Sequence, residues 1–178
     1  MATNAKLPSR LHHTAYVSKD LEATRKFYEE IIGLPLLATW CEKDMLFGAE
    51  RTYAHCFFGL GDGGALAFFQ FADDEAWEKN RAILQEVGGS WHVAFKVTQG
   101  AFDELMQRVT AAGVPVRKID HGYCVSMYLK SPDGLRLEFT VDAPDAAEIA
   151  AMRRKDAHAE LARWLAGDRH TNNDDRPH

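Results

Sequence analysis

The chain has 178 residues, 46% of them hydrophobic, and a formal net charge of −5, which is the profile of a globular domain with a substantial core. It has no cluster of Lys and Arg that would indicate a nucleic-acid partner, and no apolar run near the roughly 18 residues needed to cross a membrane. Three cysteines without a CxxC spacing and a polar start without a secretory signal predict a cytoplasmic protein.

The first half of the chain predicts one strand, one helix and three further strands. The helix has an N-cap at Asp20, apolar residues at helical spacing and a C-cap at Gly33. A glycine-rich turn between the last two strands indicates a hairpin. The predicted segments are a loose leader over 1–10, strands over 11–17, 36–41, 53–60 and 65–71, a helix over 21–32, and a polar connector over 73–90.

The second half repeats this order and then adds a long helix. An amphipathic stripe predicts its first helix, and Pro144 opens the last one. The polar end of the chain has no periodicity and predicts a disordered tail. The predicted segments are strands over 92–97, 116–119, 123–130 and 135–141, helices over 101–112 and 144–166, and the tail over 167–178.

The last two predicted strands form a hairpin with an unusual polar pair. Turn chemistry in Ser-Pro-Asp-Gly over 131–134 sets the register, so that Tyr128 faces Glu138. Side chains alternate along a strand, so Leu137 and Phe139 flank a carboxylate that lies on the opposite face. A carboxylate placed mid-strand beside a tyrosine indicates a functional site more than a contribution to the stability of the fold.

An internal repeat predicts the fold. Each half starts with His-x-Ala-aromatic, at His13 and at His92, and each later shows Gly-aliphatic-Pro-aliphatic. Two copies of one unit predict an α+β fold, in which two βαβββ modules form a cupped mixed sheet with helices on the outer face, plus a C-terminal helix. The concave face would carry His13, His92 and Glu138. An ungapped match would instead place His12 opposite His92, and pleat parity allows only one of the two to face the cup.

These motifs, with the SPDGLRLEF sequence near the end, resemble the vicinal oxygen chelate superfamily, which includes glyoxalase I, extradiol dioxygenases, epimerases and antibiotic-resistance proteins. The resemblance covers about 11–142 as one domain, with modules over 11–72 and 91–142. It implies a metal held by His13, His92 and Glu138. Two imidazoles and one carboxylate on one face of a divalent ion also match the facial triad of Fe(II) oxygen chemistry.

Two further features of the resemblance select a branch of the superfamily. Members that resemble glyoxalases or epimerases place a fourth carboxylate on the last strand of the first module, where this chain has Ala67. Extradiol dioxygenases use three ligands, with a tyrosine ten residues before the glutamate in a pattern like YxxxPxGxxxE. Here Tyr128 precedes Glu138 by ten residues, in YLKSPDGLRLE.

The sequence therefore predicts an Fe(II)-dependent extradiol dioxygenase, an oxidoreductase that cleaves a small catechol-type aromatic diol with O₂. Mn(II), Zn(II) and Ni(II) are alternative metals, and a homodimer is expected. Tyr128 and His121 are the predicted catalytic residues, and His55 is a candidate for supporting the ligands. The alternatives are a glyoxalase- or epimerase-like metal enzyme (a lyase or isomerase) and a metal-free small-molecule-binding resistance protein.

Overall fold

The computed structural model describes residues 8, 10–46, 48–86, 91–168 and 170, without the side chains of 80 and 82–86. Most of the predicted leader and tail lies outside these residues. The chain divides into two compact units, one formed by 1–91 with 130–135 and the other by 92–129 with 136–178.

The first unit is a four-stranded mixed sheet with two helices. Strand β1 pairs parallel with β4, and β3 pairs antiparallel with both β4 and β2, so β2 lies at one edge. Its elements are β1 (His13–Val17), α1 (Leu21–Arg25) continued by a π-helical segment (Lys26–Ile32), β2 (Leu36–Leu46), β3 (Ala49–Gly59), β4 (Ala65–Phe71) and α2 (Asp74–Glu86).

Helix α1 starts and ends where the sequence predicts. The Asp20 side chain accepts hydrogen bonds from the amides of Glu22 and Ala23, and Gly33 closes the helix with a φ of 91°. The fully buried Tyr28 ring lies 5.4 Å from Phe58 and 4.8 Å from Phe68, between ring centroids. This aromatic contact fixes one face of the first sheet as the face that the helix covers.

The hairpin of β2 and β3 is longer than predicted. The polar residues over 42–52 were interpreted as a break, but most of them continue the antiparallel pairing, with Lys43 opposite Thr52 and Asp44 opposite Arg51. An ion pair of 2.7 Å between Lys43 and Glu50 spans the two strands. Backbone pairing does not require apolar side chains, so a two-stranded ribbon can extend into solvent without the alternation that predicts a strand.

The second unit has the same architecture and a long terminal helix. Strand β5 pairs parallel with β8, and the sheet order is β5, β8, β7, β6. Helix α3 packs on β8 with Phe102, Leu105 and Val109 buried. The elements are β5 (Val93–Lys96), α3 (Gln99–Ala111), β6 (Arg117–Asp120), β7 (Cys124–Lys130), β8 (Arg136–Asp142) and α4 (Ala146–Leu165).

The predicted α+β fold class is confirmed by the two four-stranded mixed sheets with their helices and the C-terminal helix. Among the described helices, none is long and apolar enough to cross a membrane.

The turn between β7 and β8 belongs to the first unit. Its buried Asp133 accepts hydrogen bonds from the Thr24 hydroxyl, at 3.1 Å to Oδ1 and 3.0 Å to Oδ2. Burial raises the pKa of the Asp133 carboxyl, and hydrogen bonds from Ser18 and Thr24 act in the opposite direction. Asp133 was interpreted only as a turn residue, yet its side chain ties the turn to α1.

Candidate functional site

Strand alternation in the second unit separates a core face from an open face. Leu137 and Phe139 of β8 are buried, and Phe139 stacks on Phe95 of β5. Glu138 lies between them in sequence and therefore points to the opposite face. His92, the residue before β5, reaches the same face, because its ring contacts the Glu138 carboxylate.

A continuous chain of four polar side chains crosses this face, which we call the polar chain: His92, Glu138, Tyr128 and His121. His92 Nε2 lies 2.9 Å from Glu138 Oε2, and the Tyr128 hydroxyl donates to Glu138 Oε1 at 2.8 Å. His121 Nε2 lies 2.9 Å from the Tyr128 hydroxyl. The predicted facing of Tyr128 and Glu138 across the hairpin is confirmed.

The direction of these hydrogen bonds follows from the donors available. Because Tyr128 gives its proton to Glu138, its oxygen is left to accept the Nε2 proton of His121. Burial, and then the hydrogen bond to the Glu138 carboxylate, raise the pKa of Tyr128 to about 12. Tyr128 is therefore a neutral hydroxyl over the whole physiological pH range.

The donor chemistry of His92 and Glu138 fits a divalent metal. His92 Nε2 lies 2.9 Å from Glu138 Oε2, and an imidazole nitrogen and a carboxylate oxygen are both ligand types that divalent metals take in proteins. Glu138 is 7% exposed, and a buried carboxylate needs positive or hydrogen-bonding partners. Within the residues described, no three or more His, Cys, Asp or Glu side chains form a ready-made metal cluster.

His13 lies in the first unit, at the start of β1. Its ring is 5.7 Å from Phe57, and its Nδ1 is 2.8 Å from Nδ1 of His12. Ala15, two residues after His13, pairs with Ala67, and Ala94, two residues after His92, pairs with Glu138. When the two motifs are aligned on these alanines, His13 is the counterpart of His92. The choice of His13 over His12 as a ligand stays a prediction.

The same registers place Ala67 where the second unit has Glu138. Ala67 is fully buried. A methyl group therefore occupies the position at which glyoxalase- or epimerase-like members of the superfamily would carry a fourth ligand carboxylate.

The rest of this face of the first sheet is aromatic. His55 stacks on Phe69 with 3.6 Å between ring centroids and lies 4.3 Å from Phe57, and Trp40 is its cross-strand partner. Burial, and then the nearby His13, lower the pKa of His55, so its imidazole is neutral at pH 7. Its Nε2 is buried and makes no hydrogen bond. We call Trp40, His55, Phe57 and Phe69 the aromatic lining.

Sequence reasoning missed most of these neighbours. Phe57 and Phe69 were treated as strand residues, and it is the pairing of β1, β3 and β4 together with alternation that places them on the face of His13. Tyr123, whose ring stacks on His121 at 5.9 Å, was also not singled out.

Comparisons with known proteins agree on the family. The model of the glyoxalase/bleomycin resistance protein/dioxygenase superfamily matches residues 10–139. The glutathione transferase FosA of Serratia marcescens is 32% identical over 82% of this chain and 89% of its own. A lactoylglutathione lyase of Neisseria meningitidis is 28% identical over 73% and 88%. The crystal structure of FosX from Listeria monocytogenes with Mn(II) and sulfate has a TM-score of 0.53 and 18% identity, covering 79% and 95%.

The predicted extradiol dioxygenase is therefore wrong, together with its oxidoreductase class, its aromatic diol and its O₂. The curated relatives are a glutathione transferase and a lyase. The two sequence features that predicted a dioxygenase are not specific to that reaction. The spacing between Tyr128 and Glu138 reflects the register of a hairpin, and a three-ligand metal leaves positions open for many kinds of substrate.

Proposed function

Because the chain belongs to the glyoxalase/bleomycin resistance protein/dioxygenase superfamily, we propose that it is a metal-dependent transferase that adds the thiol of glutathione to a small electrophile such as an epoxide. The observation that carries this proposal is the 32% identity to a glutathione transferase over 82% of the chain. The polar chain and the methyl group at Ala67 support it.

The second candidate is a lyase of the lactoylglutathione type, favoured by the 28% identity to such an enzyme. That reaction moves a proton next to a carbonyl and benefits from an additional carboxylate. The family resemblance would put this carboxylate at Ala67. Thiol addition removes no proton from carbon and therefore does not need a carboxylate at that position; the proton that the thiol loses ends on the oxygen released from the epoxide.

His13, His92 and Glu138 are the residues that would hold the metal. A divalent ion there would act as a Lewis acid on an oxygen of the electrophile. Mn(II), the ion in the FosX crystal structure, takes the place of the predicted Fe(II) in this proposal. A homodimer and a cytoplasmic location stay predictions.

The other residues of the polar chain would orient the ligands and hold protons. The neutral hydroxyl of Tyr128 fixes one oxygen of Glu138, which leaves the second oxygen for the metal. His121 holds the Tyr128 hydroxyl in that orientation. In the reaction, a sulfur–carbon bond forms and a carbon–oxygen bond of the epoxide breaks. The thiol proton ends on the released oxygen, so atoms and charge balance.

The test compares two reactions of one Mn(II)-loaded preparation. Glutathione is mixed with a panel of epoxides that includes fosfomycin and styrene oxide, or with methylglyoxal, and the products are identified by mass spectrometry. We expect a glutathione adduct with at least one epoxide, lost in Glu138→Gln and kept in Glu104→Gln, a matched change on the exposed side of α3. Turnover of methylglyoxal alone would support the lyase instead.

A further inference from the structure

The second unit contains a cavity that the polar chain does not use. Its volume is 640 Å³, within the range of about 300–1,000 Å³ typical of small-molecule sites. It lies between the end of β8, the first turns of α4 and the ring of Tyr123. The hydrogen bond from the Ala143 amide to the Tyr123 carbonyl, 2.9 Å long, holds these segments together.

The cavity wall is apolar with two opposite charges. Small and aliphatic side chains of α4 form most of it: Ala146, Ala147, Ile149 and Ala150. Asp142 and Arg153 supply one negative and one positive group. Each also contacts a residue of opposite charge outside the lining: Lys96 pairs with Asp142, and Asp156 lies 3.5 Å from Arg153.

This pair of charges fits a zwitterion. A ligand that carries both an ammonium and a carboxylate offers Asp142 and Arg153 each a partner of opposite charge, whereas a simple anion would meet the Asp142 carboxylate. The start of α4 adds to the attraction for a carboxylate, because the amide groups of a helix N-terminus carry partial positive charge. No side chain caps this end of α4 at Asp145.

The cavity also borders the polar chain. Tyr123 lines the cavity, and its ring stacks on His121 with an interplanar angle of 26°. His121 in turn contacts the Tyr128 hydroxyl. A ligand seated against Tyr123 can therefore extend toward the group that orients Glu138.

We propose that this cavity binds the amino-acid end of the thiol co-substrate, with the α-ammonium of the γ-glutamyl group at Asp142 and its α-carboxylate at Arg153. The inference rests on the proposed transferase function. It makes Asp142 and Arg153 specificity-determining residues for the thiol, and it assigns them no part in the metal site or in the choice of electrophile.

The experiment separates recognition of the thiol from chemistry. Arg153→Ala and Asp142→Asn are compared with Arg154→Ala and Asp145→Asn, which change the same residue types on α4 or beside its start, outside the cavity lining. Steady-state kinetics are measured with glutathione and with 2-mercaptoethanol, a thiol without the two charges. Glutathione binding is also titrated calorimetrically with no electrophile present, and thermal denaturation checks that each variant folds.

Arg153→Ala and Asp142→Asn should each raise KM for glutathione about tenfold, with kcat at saturation within about twofold of wild type. With 2-mercaptoethanol, the KM and kcat of Arg153→Ala and Asp142→Asn should match those of wild type. The two control variants should match wild type with both thiols. Equal effects on the two thiols, or none on either, would overturn the assignment. If no thiol is transferred, the proposed function fails, but the calorimetric titration still tests this inference. The inference is rejected if wild type does not bind glutathione, or if wild type and Arg153→Ala bind it equally well.

Discussion

The two units share one backbone plan and differ in what they place on the corresponding sheet face. In the second unit this face carries the polar chain, with Glu138 linked to His92 and to Tyr128. In the first unit the counterpart of Glu138 is Ala67, and the aromatic lining lies on this face, with Phe57 in contact with His13. The strand registers are the same, so a few side chains alone decide which copy presents a charged group and which an apolar wall.

The largest effect is expected when the Glu138 carboxylate, which distinguishes the second unit from the first, is removed. Glu138→Ala deletes a proposed ligand and leaves His92 and Tyr128 without their shared partner. We expect Mn(II) affinity to fall by at least about 100-fold, since even residues that only orient ligands contribute 10–100-fold. Calorimetric titration and elemental analysis measure this. Glu104→Gln is the control, and an unchanged affinity in Glu138→Ala would disprove the ligand assignment.

A smaller change keeps the ligand and removes the group that orients it. Tyr128→Phe should lower kcat about 10- to 100-fold while Mn(II) stays bound. Because the pKa of Tyr128 is about 12, wild type should show no change in rate from its ionisation below pH 10.

The pH–rate profiles of Tyr128→Phe and wild type should therefore run parallel up to pH 10. Tyr16→Phe, on the helix-covered face of the first sheet, is the matched control. A difference in rate that disappears toward pH 8–10 would mean that Tyr128 acts as an ionising group.

Within the first unit, a buried hydrogen bond joins Thr24 of α1 to Asp133 of the turn over 130–135. Thr24→Val keeps the shape of a fully buried side chain and removes the hydroxyl that donates to Asp133. We expect the free energy of unfolding to fall by about 1–3 kcal/mol, because the buried Asp133 carboxyl loses one of its two side-chain donors and keeps only Ser18. Urea denaturation followed by circular dichroism measures it. Thr52→Val, at an exposed position of β3, should change stability far less.

The raised pKa of Asp133 adds a pH dependence to this test. A carboxyl whose folded pKa is raised contributes stability at low pH that is lost as pH rises through the folded pKa. Asp133→Asn should remove this loss, so its stability relative to wild type should increase from about pH 4 toward pH 7. A constant difference across that range would show that the carboxyl titrates normally.

The smallest expected effect concerns His55. Its buried Nε2 makes no hydrogen bond, and its ring stacks on Phe69, so His55→Phe should leave stability at pH 7 within about 1 kcal/mol or raise it. Because burial lowers the pKa of His55, wild type should lose stability as pH falls below about 6.5, and the variant should lose less. Denaturation curves at pH 5 and pH 7.5 test this. A large loss at pH 7.5 would indicate a bond that the imidazole alone can make.

The sequence was a good guide wherever local chemistry dictates structure. The Ser-Pro-Asp-Gly turn placed Tyr128 opposite Glu138, and the repeated His-x-Ala-aromatic motif predicted two equivalent units. Asp20 and Gly33 marked the ends of a helix. Each of these signals depends on neighbours a few residues apart.

The misses depend on contacts between distant residues or on chemistry that several enzymes share. No local pattern shows that Asp133 binds Thr24, 109 residues away in sequence. The reaction type could not be predicted, because a metal held by two imidazoles and one carboxylate leaves positions open for more than one kind of substrate. The π-helical turns over Lys26–Ile32 have nearly the same apolar spacing as an α-helix and were read as one.

The position of the turn over 130–135 also bears on how such a protein can be divided. A cut after Trp91 would follow the boundary of the sequence repeat, yet it would leave Thr24 on one polypeptide and Asp133 on the other. The first half would then lack a segment of its own compact unit, and the second would carry a buried acid without its donor. The sequence repeat therefore marks where the motif begins again, and it does not mark a point at which the chain can be cut into two self-sufficient units.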